Sequence, residues 1–126
     1  MTRLLDLAPR ALERLRGAEL VEAIRASEGR TIAAETIVAT GPLLDRVSNP
    51  ELVAAFGADI IVLNLYDVDR PQIAGMPRRA GDAAPDDDAA AFGAVATGAG
   101  RTAGDVARWT GRVTAVNLEP VDEALA

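Results

Sequence analysis

The chain has 126 residues, a formal net charge of −6, 49% apolar residues and only 3% aromatics, which suits one domain with a core of Ala, Leu, Val and Ile. The acidic balance argues against binding to a nucleic-acid backbone or an anionic membrane surface, and no apolar run approaches the ~20 residues of a spanning helix. Cys and His are absent and all 13 basic residues are Arg, so thiolate, imidazole and lysine chemistry is excluded for this chain, leaving Asp, Glu, Tyr66, Ser27, Ser48, Thr hydroxyls, Arg or a hard metal ion.

Residues Met1 to Arg16 alternate charged and apolar side chains and lack the apolar segment of a signal peptide; a cytoplasmic protein is expected. Asp6 is placed to cap a helix from Leu7, with Pro9 in its first turn. A second helix, Ala18 to Ser27, aligns Leu20, Val21 and Ile24, and Gly29 supplies a stop. A first strand follows from Thr31 to Val38. Its single charge, Glu35, must be paired, hydrogen-bonded or turned to a polar cavity. Arg30 and Arg112 are the expected partners for a structural Glu35; a site carboxylate is the alternative.

After the Gly41-Pro42 loop, Ser48 and Glu51 have capping-box spacing, and Pro50 fits the start of a helix running from Glu51 to Phe56. Leu52, Val53 and Phe56 form its predicted buried stripe, and Gly57 ends it. The second strand, Asp59 to Leu65, is apolar on both faces from Ile60 to Leu63, the pattern of a parallel sheet covered by helices. Periodicity is then lost over residues 71–100, a segment with Pro71, Pro77, Pro85 and the run Asp86-Asp87-Asp88. It reads as a low-complexity insertion or a lid loop. Thr102 and Asp105 open a helix from Ala103 to Thr110 with Val106 and Trp109 as its apolar pair, Gly111 closes it, and a third strand runs from Val113 to Leu118.

The second and third strands end alike, in Val62-Leu63-Asn64-Leu65-Tyr66-Asp67 and Ala115-Val116-Asn117-Leu118-Glu119-Pro120. This echo of βα units implies parallel strands joined by right-handed crossovers. The period of two sets Asn64 with Tyr66, and Asn117 with Glu119, on one face. Glu35, Asn64, Asn117 and Glu119 then gather near the C-terminal mouth of the sheet, with Asp67 and Asp69 on the loop above. Such carboxylates and amides suit Mg²⁺, with Glu35 and Glu119 as the metal ligands; the alternative is a polar layer that satisfies itself and holds no ligand.

These residues carry a resemblance. Ala26-Ser27-Glu28-Gly29-Arg30-Thr31, the run from Ser48-Asn49-Pro50-Glu51 to Phe56-Gly57-Ala58-Asp59, Leu63-Asn64-Leu65-Tyr66-Asp67-Val68, and Thr110-Gly111-Arg112 with Asn117-Leu118-Glu119-Pro120-Val121-Asp122 resemble the N-terminal part of a bacterial TIM-barrel family. Its members are often labelled phosphoenolpyruvate phosphonomutase-like and sometimes haloacid-dehalogenase-like. More distantly, the chain is similar to the opening of the phosphonomutase and isocitrate lyase superfamily. The resemblance implies a partial (β/α)₈ TIM barrel of parallel βα units, preceded by N-terminal helices and spanning 1–126 as one domain. It also implies a fragment of a metal-assisted lyase or mutase acting on a small carboxylate or phosphorylated acid, with Mg²⁺ as cofactor. The superfamily's later acidic metal motif and its Cys-containing loop have no counterpart here, so no catalytic role is carried over. Glu35, Asn64, Asp67, Asn117 and Glu119 stand as strand-end candidates. Asp67-Val68-Asp69 begins like the first haloacid-dehalogenase motif, a phosphatase signature, but Pro71 occupies the Thr or Val place and no Lys exists for the later motif.

A complete barrel takes ~250 residues, and three strands leave two open edges. The chain is therefore expected to be a truncated or split portion, or to assemble as a homo-oligomer or with a complementing barrel fragment. A non-catalytic structural or assembly module is the competing reading.

Overall fold

The computed structural model describes residues 2–77 and 98–118. Three strands, β1 (Ala33–Ile37), β2 (Ile60–Asn64) and β3 (Val113–Val116), form one parallel sheet in the order β1-β2-β3. Four α-helices accompany it among the described residues: α1 (Pro9–Leu12), α2 (Gly17–Ala26), α3 (Asn49–Ala55) and α4 (Ala103–Thr110), with a 3₁₀ turn at Leu4–Asp6. The echo seen in the sequence is also the pairing register, since Ile60 stands beside Val113 and Leu63 beside Val116.

The expected TIM barrel is not what forms. The sheet is open, with β1 and β3 as its two edges among the described residues. Closing a barrel requires both edges to find strand partners, and no described strand pairs with either outer edge. No described helix is long and apolar enough to cross a membrane.

One face of the sheet is covered over β1 and β2, with Thr114 and Val116 of β3 half-buried on it. Val38, Ile61 and Leu63 point into a core with Ile73, Met76 and Val106, and Val53 and Ala54 of α3 and Ala103 of α4 pack against it. Two of these core residues, Ile73 and Met76, belong to the 71–100 segment. The ends of that segment are tied down by hydrogen bonds from Ile73 N–H to Gly98 C=O (3.1 Å), from Gly100 N–H to Pro71 C=O (2.7 Å) and from Ala74 N–H to Val38 C=O (2.9 Å). The Asp86-Asp87-Asp88 run lies outside the described residues.

The opposite face is covered only at its N-terminal end. Leu4, Leu12 and Ala23 form a second core, and Leu7, Leu15, Leu20 and Ile24 pack with them against Ile60 and Val113. Ser27, fully buried, joins the pieces: its hydroxyl accepts from Leu4 N–H at 3.1 Å and donates to Ala23 C=O at 2.9 Å. Asp6 does not cap a helix; it pairs with Arg3 at 2.6 Å, and α1 begins at Pro9 after Ala8. Val21 and Phe56 are exposed rather than on buried stripes, because α2 packs through Leu20, Ala23 and Ile24 and Phe56 lies past the end of α3.

The two expected capping boxes form. Glu51 Oε2 accepts from both the N–H and the hydroxyl of Ser48, at 3.0 and 2.6 Å. Asp105 Oδ2 accepts from Thr102 N–H at 2.8 Å while Thr102 Oγ1 accepts from Asp105 N–H at 3.2 Å. Gly111 closes α4 in the left-handed region at φ 65, where a Cβ would cost energy.

Candidate functional site at the strand ends

Glu35 lies beside Val62 and Ile37 beside Asn64. Glu35 and Asn64 therefore share a face, since side chains two apart along a strand point the same way. Continuing the β2–β3 register by one residue sets Asn117 beside Asn64, and Asn117 N–H donates to Leu63 C=O at 2.9 Å. Three of the sequence candidates, Glu35, Asn64 and Asn117, are thus placed on the half-open face.

Neither expected arginine pairs with Glu35. Its carboxylate accepts from Asn64 Nδ2 at 2.5 Å, while Arg30 turns to Ser27 C=O and Glu28. Asn64 Oδ1 in turn accepts from Leu65 N–H at 2.7 Å. Leu65 sits at φ 57, outside the usual range for a leucine, and this break ends the alternation. Tyr66 consequently packs with the covered-face core instead of beside Asn64, and its hydroxyl accepts from Ala103 N–H at the start of α4 (3.2 Å).

Asp67 occupies a different place. Its Oδ1 accepts from Asp69 N–H at 2.8 Å and Arg70 N–H at 3.0 Å, and its Oδ2 lies 3.4 Å from Arg70 Nε. The backbone N–H groups of Arg70 and Asp69, with the Arg70 charge, hold the Asp67 carboxyl below its ordinary value. Asp67 and Arg70 line a cleft of about 320 Å³ with Val38, Ala39, Leu65 and Gln72. It lies beyond the C-terminal ends of β1 and β2, where parallel sheets bind ligands.

The candidate set is therefore divided: Asp67 lines the cleft, whereas Glu35, Asn64 and Asn117 do not. Glu119, the second expected metal ligand, lies outside the described residues. Among the described residues no cluster of three Asp or Glu is placed to hold a metal ion. Arg70 and Gln72 were not singled out by sequence reasoning. The signal for Arg70 was available, because an Asp followed at two and three residues by free N–H groups folds back as a turn that fixes the next side chains.

No curated protein and no solved structure matches the chain. One family model does, over residues 5–126, described as a domain of unknown function, DUF7916. That description names no activity, and nothing in it connects the chain to phosphonomutase-like or haloacid-dehalogenase-like proteins. With its model covering nearly the whole sequence, the chain belongs to the DUF7916 family.

Proposed function

We propose that the strand-end cleft binds a small carboxylate or phosphorylated acid, with Arg70 as the group that recognises the anion. The observation that carries this reading is Arg70 itself. Its guanidinium stands at the rim of a cleft beyond the strand ends, and its pairing with Asp67 is long, at 3.4 Å, with the side chain 90% exposed. An exposed ion pair of that kind contributes ~0–1 kcal/mol, so an acid making a bidentate contact displaces it at little cost. Asp67, fixed by two backbone N–H groups, keeps the guanidinium at the rim before the acid arrives.

Calorimetry with phosphoenolpyruvate, pyruvate and inorganic phosphate tests this. Saturable heat with at least one acid, weakened about tenfold or more in Arg70→Gln, is expected. No saturable heat from the folded chain overturns it. A lyase or mutase step using Mg²⁺ held by Glu35 and Glu119 is a separate proposal, because Glu35 stands outside this cleft. A Mg²⁺ titration that is unchanged by Glu35→Gln removes it.

A second reading, a non-catalytic structural module, is favoured by the Glu35–Asn64 hydrogen bond. There the polar strand residues satisfy one another, and substitution changes stability without changing any ligand heat.

A further inference from the structure

A groove of about 260 Å³ is bounded by the N-terminal helices, α4 and the start of β3, from Arg112 to Thr114. Its two walls come from different layers. Val113 shares the sheet face of Leu12, Leu15 and Leu20, whereas Thr114 shares the face of Ile61, with Ala103 and Ala107 of α4 on that side. The groove therefore wraps the outer edge of β3 instead of opening on one face of the sheet.

Asn117 N–H donates to Leu63 C=O, so the backbone groups of Ala115 and Asn117 turn towards β2. Those of Thr114, Val116 and Leu118 turn outward, and no described strand pairs with them. The run Val113-Thr114-Ala115-Val116-Asn117-Leu118 holds no charge, Pro or Gly, so nothing in it blocks the addition of a further strand. Leu118 at its end is 86% exposed. The other open edge differs. β1 carries the exposed carboxylate of Glu35 at its middle, and a charge there opposes edge-to-edge pairing.

We infer that the outer edge of β3 pairs with a second copy of this chain, antiparallel, about a two-fold axis at Val116. In that register Val116 exchanges backbone hydrogen bonds with its own copy, and Thr114 with Leu118. Opposite side chains share a face, so the exposed Leu118 is covered beside Thr114 on the α4 side. Glu119, next in the sequence, falls opposite Val113 of the second copy, and Asp122 and Glu123 follow it. The groove at Val113 is lined by Arg16 and Arg112 against one carboxylate, Glu13. Charge complementarity thus selects a second copy as the occupant: each chain brings an acidic stretch to a groove where arginines outnumber carboxylates, and the two-fold repeats the match. This inference does not rest on the strand-end reading, and Arg70 takes no part in it.

The test is sedimentation velocity of the full chain across the micromolar to millimolar range, with amide hydrogen exchange at the same concentrations. One strand and its flanks make a small interface, so a monomer–dimer equilibrium in the micromolar range is expected. Exchange at Thr114 and Val116 N–H should slow as the dimer forms, while Ala115 N–H, already turned to β2, stays unchanged. Leu118→Lys, at an exposed position, should weaken the dimer about tenfold or more, and Ile37→Lys on the β1 edge should leave it intact. Arg16→Glu and Arg14→Glu change the net charge equally, yet only Arg16 lines the groove, so Arg16→Glu should weaken the dimer about threefold more. A monomer at every concentration overturns the inference. So does a dimer that survives Leu118→Lys, one that Ile37→Lys abolishes, or one that leaves exchange at Thr114 and Val116 unchanged.

Discussion

Leu63 and Val62 are neighbours in β2, yet they face different surroundings. Leu63 is 0% exposed, packed between the strands and the layer of α3 and α4. Val62 is half-buried, on the face that the N-terminal helices cover only as far as Ile60 and Val113. One face is therefore a packed core over β1 and β2, and the other is a core at its N-terminal end and a polar, partly open surface at its C-terminal end. The difference shows that an apolar run reports which faces exclude charge, not which faces are covered.

The sharpest test of that contrast is to truncate both residues. Leu63→Ala leaves a cavity in a close-packed layer and should cost about 2–5 kcal/mol. Val62→Ala should cost less than about 1.5 kcal/mol, because water already reaches part of that side chain. Urea unfolding of the two variants measures both, and equal losses would mean that the half-open face is as tightly packed as the other.

Gly111 joins the two sides. It closes α4 over the covered face and lies against Pro9, whose helix covers the other face. Gly111→Ala adds a Cβ at φ 65 and a contact at 2.5 Å, so a loss of about 2 kcal/mol is expected from backbone strain and overpacking together. A loss of only the ~1 kcal/mol that the left-handed conformation alone costs would show that α1 yields freely, and that the two layers are weakly joined.

The next comparison pairs Thr36 with its neighbour Glu35. Thr36 is 6% exposed on the covered face, and its hydroxyl has no partner. Thr36→Val should stabilise the chain by about 1 kcal/mol. Glu35→Gln, on the open face, preserves an acceptor for Asn64 Nδ2 and should change stability by less than about 0.5 kcal/mol. Thermal unfolding of both reads the difference in one experiment.

These contrasts show how far the sequence could be read. The parallel strands, their order along the chain and two of the three expected caps were legible because each rests on local chemistry: the apolar run Ile60 to Leu63, Ser48 with Glu51, and Thr102 with Asp105; Asp6 pairs with Arg3 instead of capping a helix. The shared face of Glu35, Asn64 and Asn117 was legible because the echo of Asn64 and Asn117 coincides with the pairing register. What local pattern could not reveal was long-range. The φ of Leu65 turns Tyr66 to the other face, and nothing in Asn64-Leu65-Tyr66 announces it. Ile73 and Met76 join the core from a stretch without periodicity, because two isolated apolar residues leave no repeat to detect. The barrel expectation failed on the same ground: βα units predict parallel pairing between neighbours, while closure depends on strands that pair with the outer edges.

The smallest expected effect concerns Asp67, at the exposed strand end. Its folded pKa lies below the ordinary 3.8, so its contribution to stability is present above the unfolded value and is lost as pH falls through the folded one. An NMR titration of its carboxyl carbon should give a midpoint below 3.8. The largest causes are the backbone N–H groups of Arg70 and Asp69, ahead of the Arg70 charge. Arg70→Gln keeps both N–H groups and should therefore leave most of the depression in place, even though it removes the ion pair at 3.4 Å. A return of the midpoint to 3.8 in that variant would mean that the guanidinium, not the turn, holds Asp67 ionised. Arg70 would then be committed to Asp67 and poorly placed to receive an acid, so the same titration also bears on the proposed strand-end site.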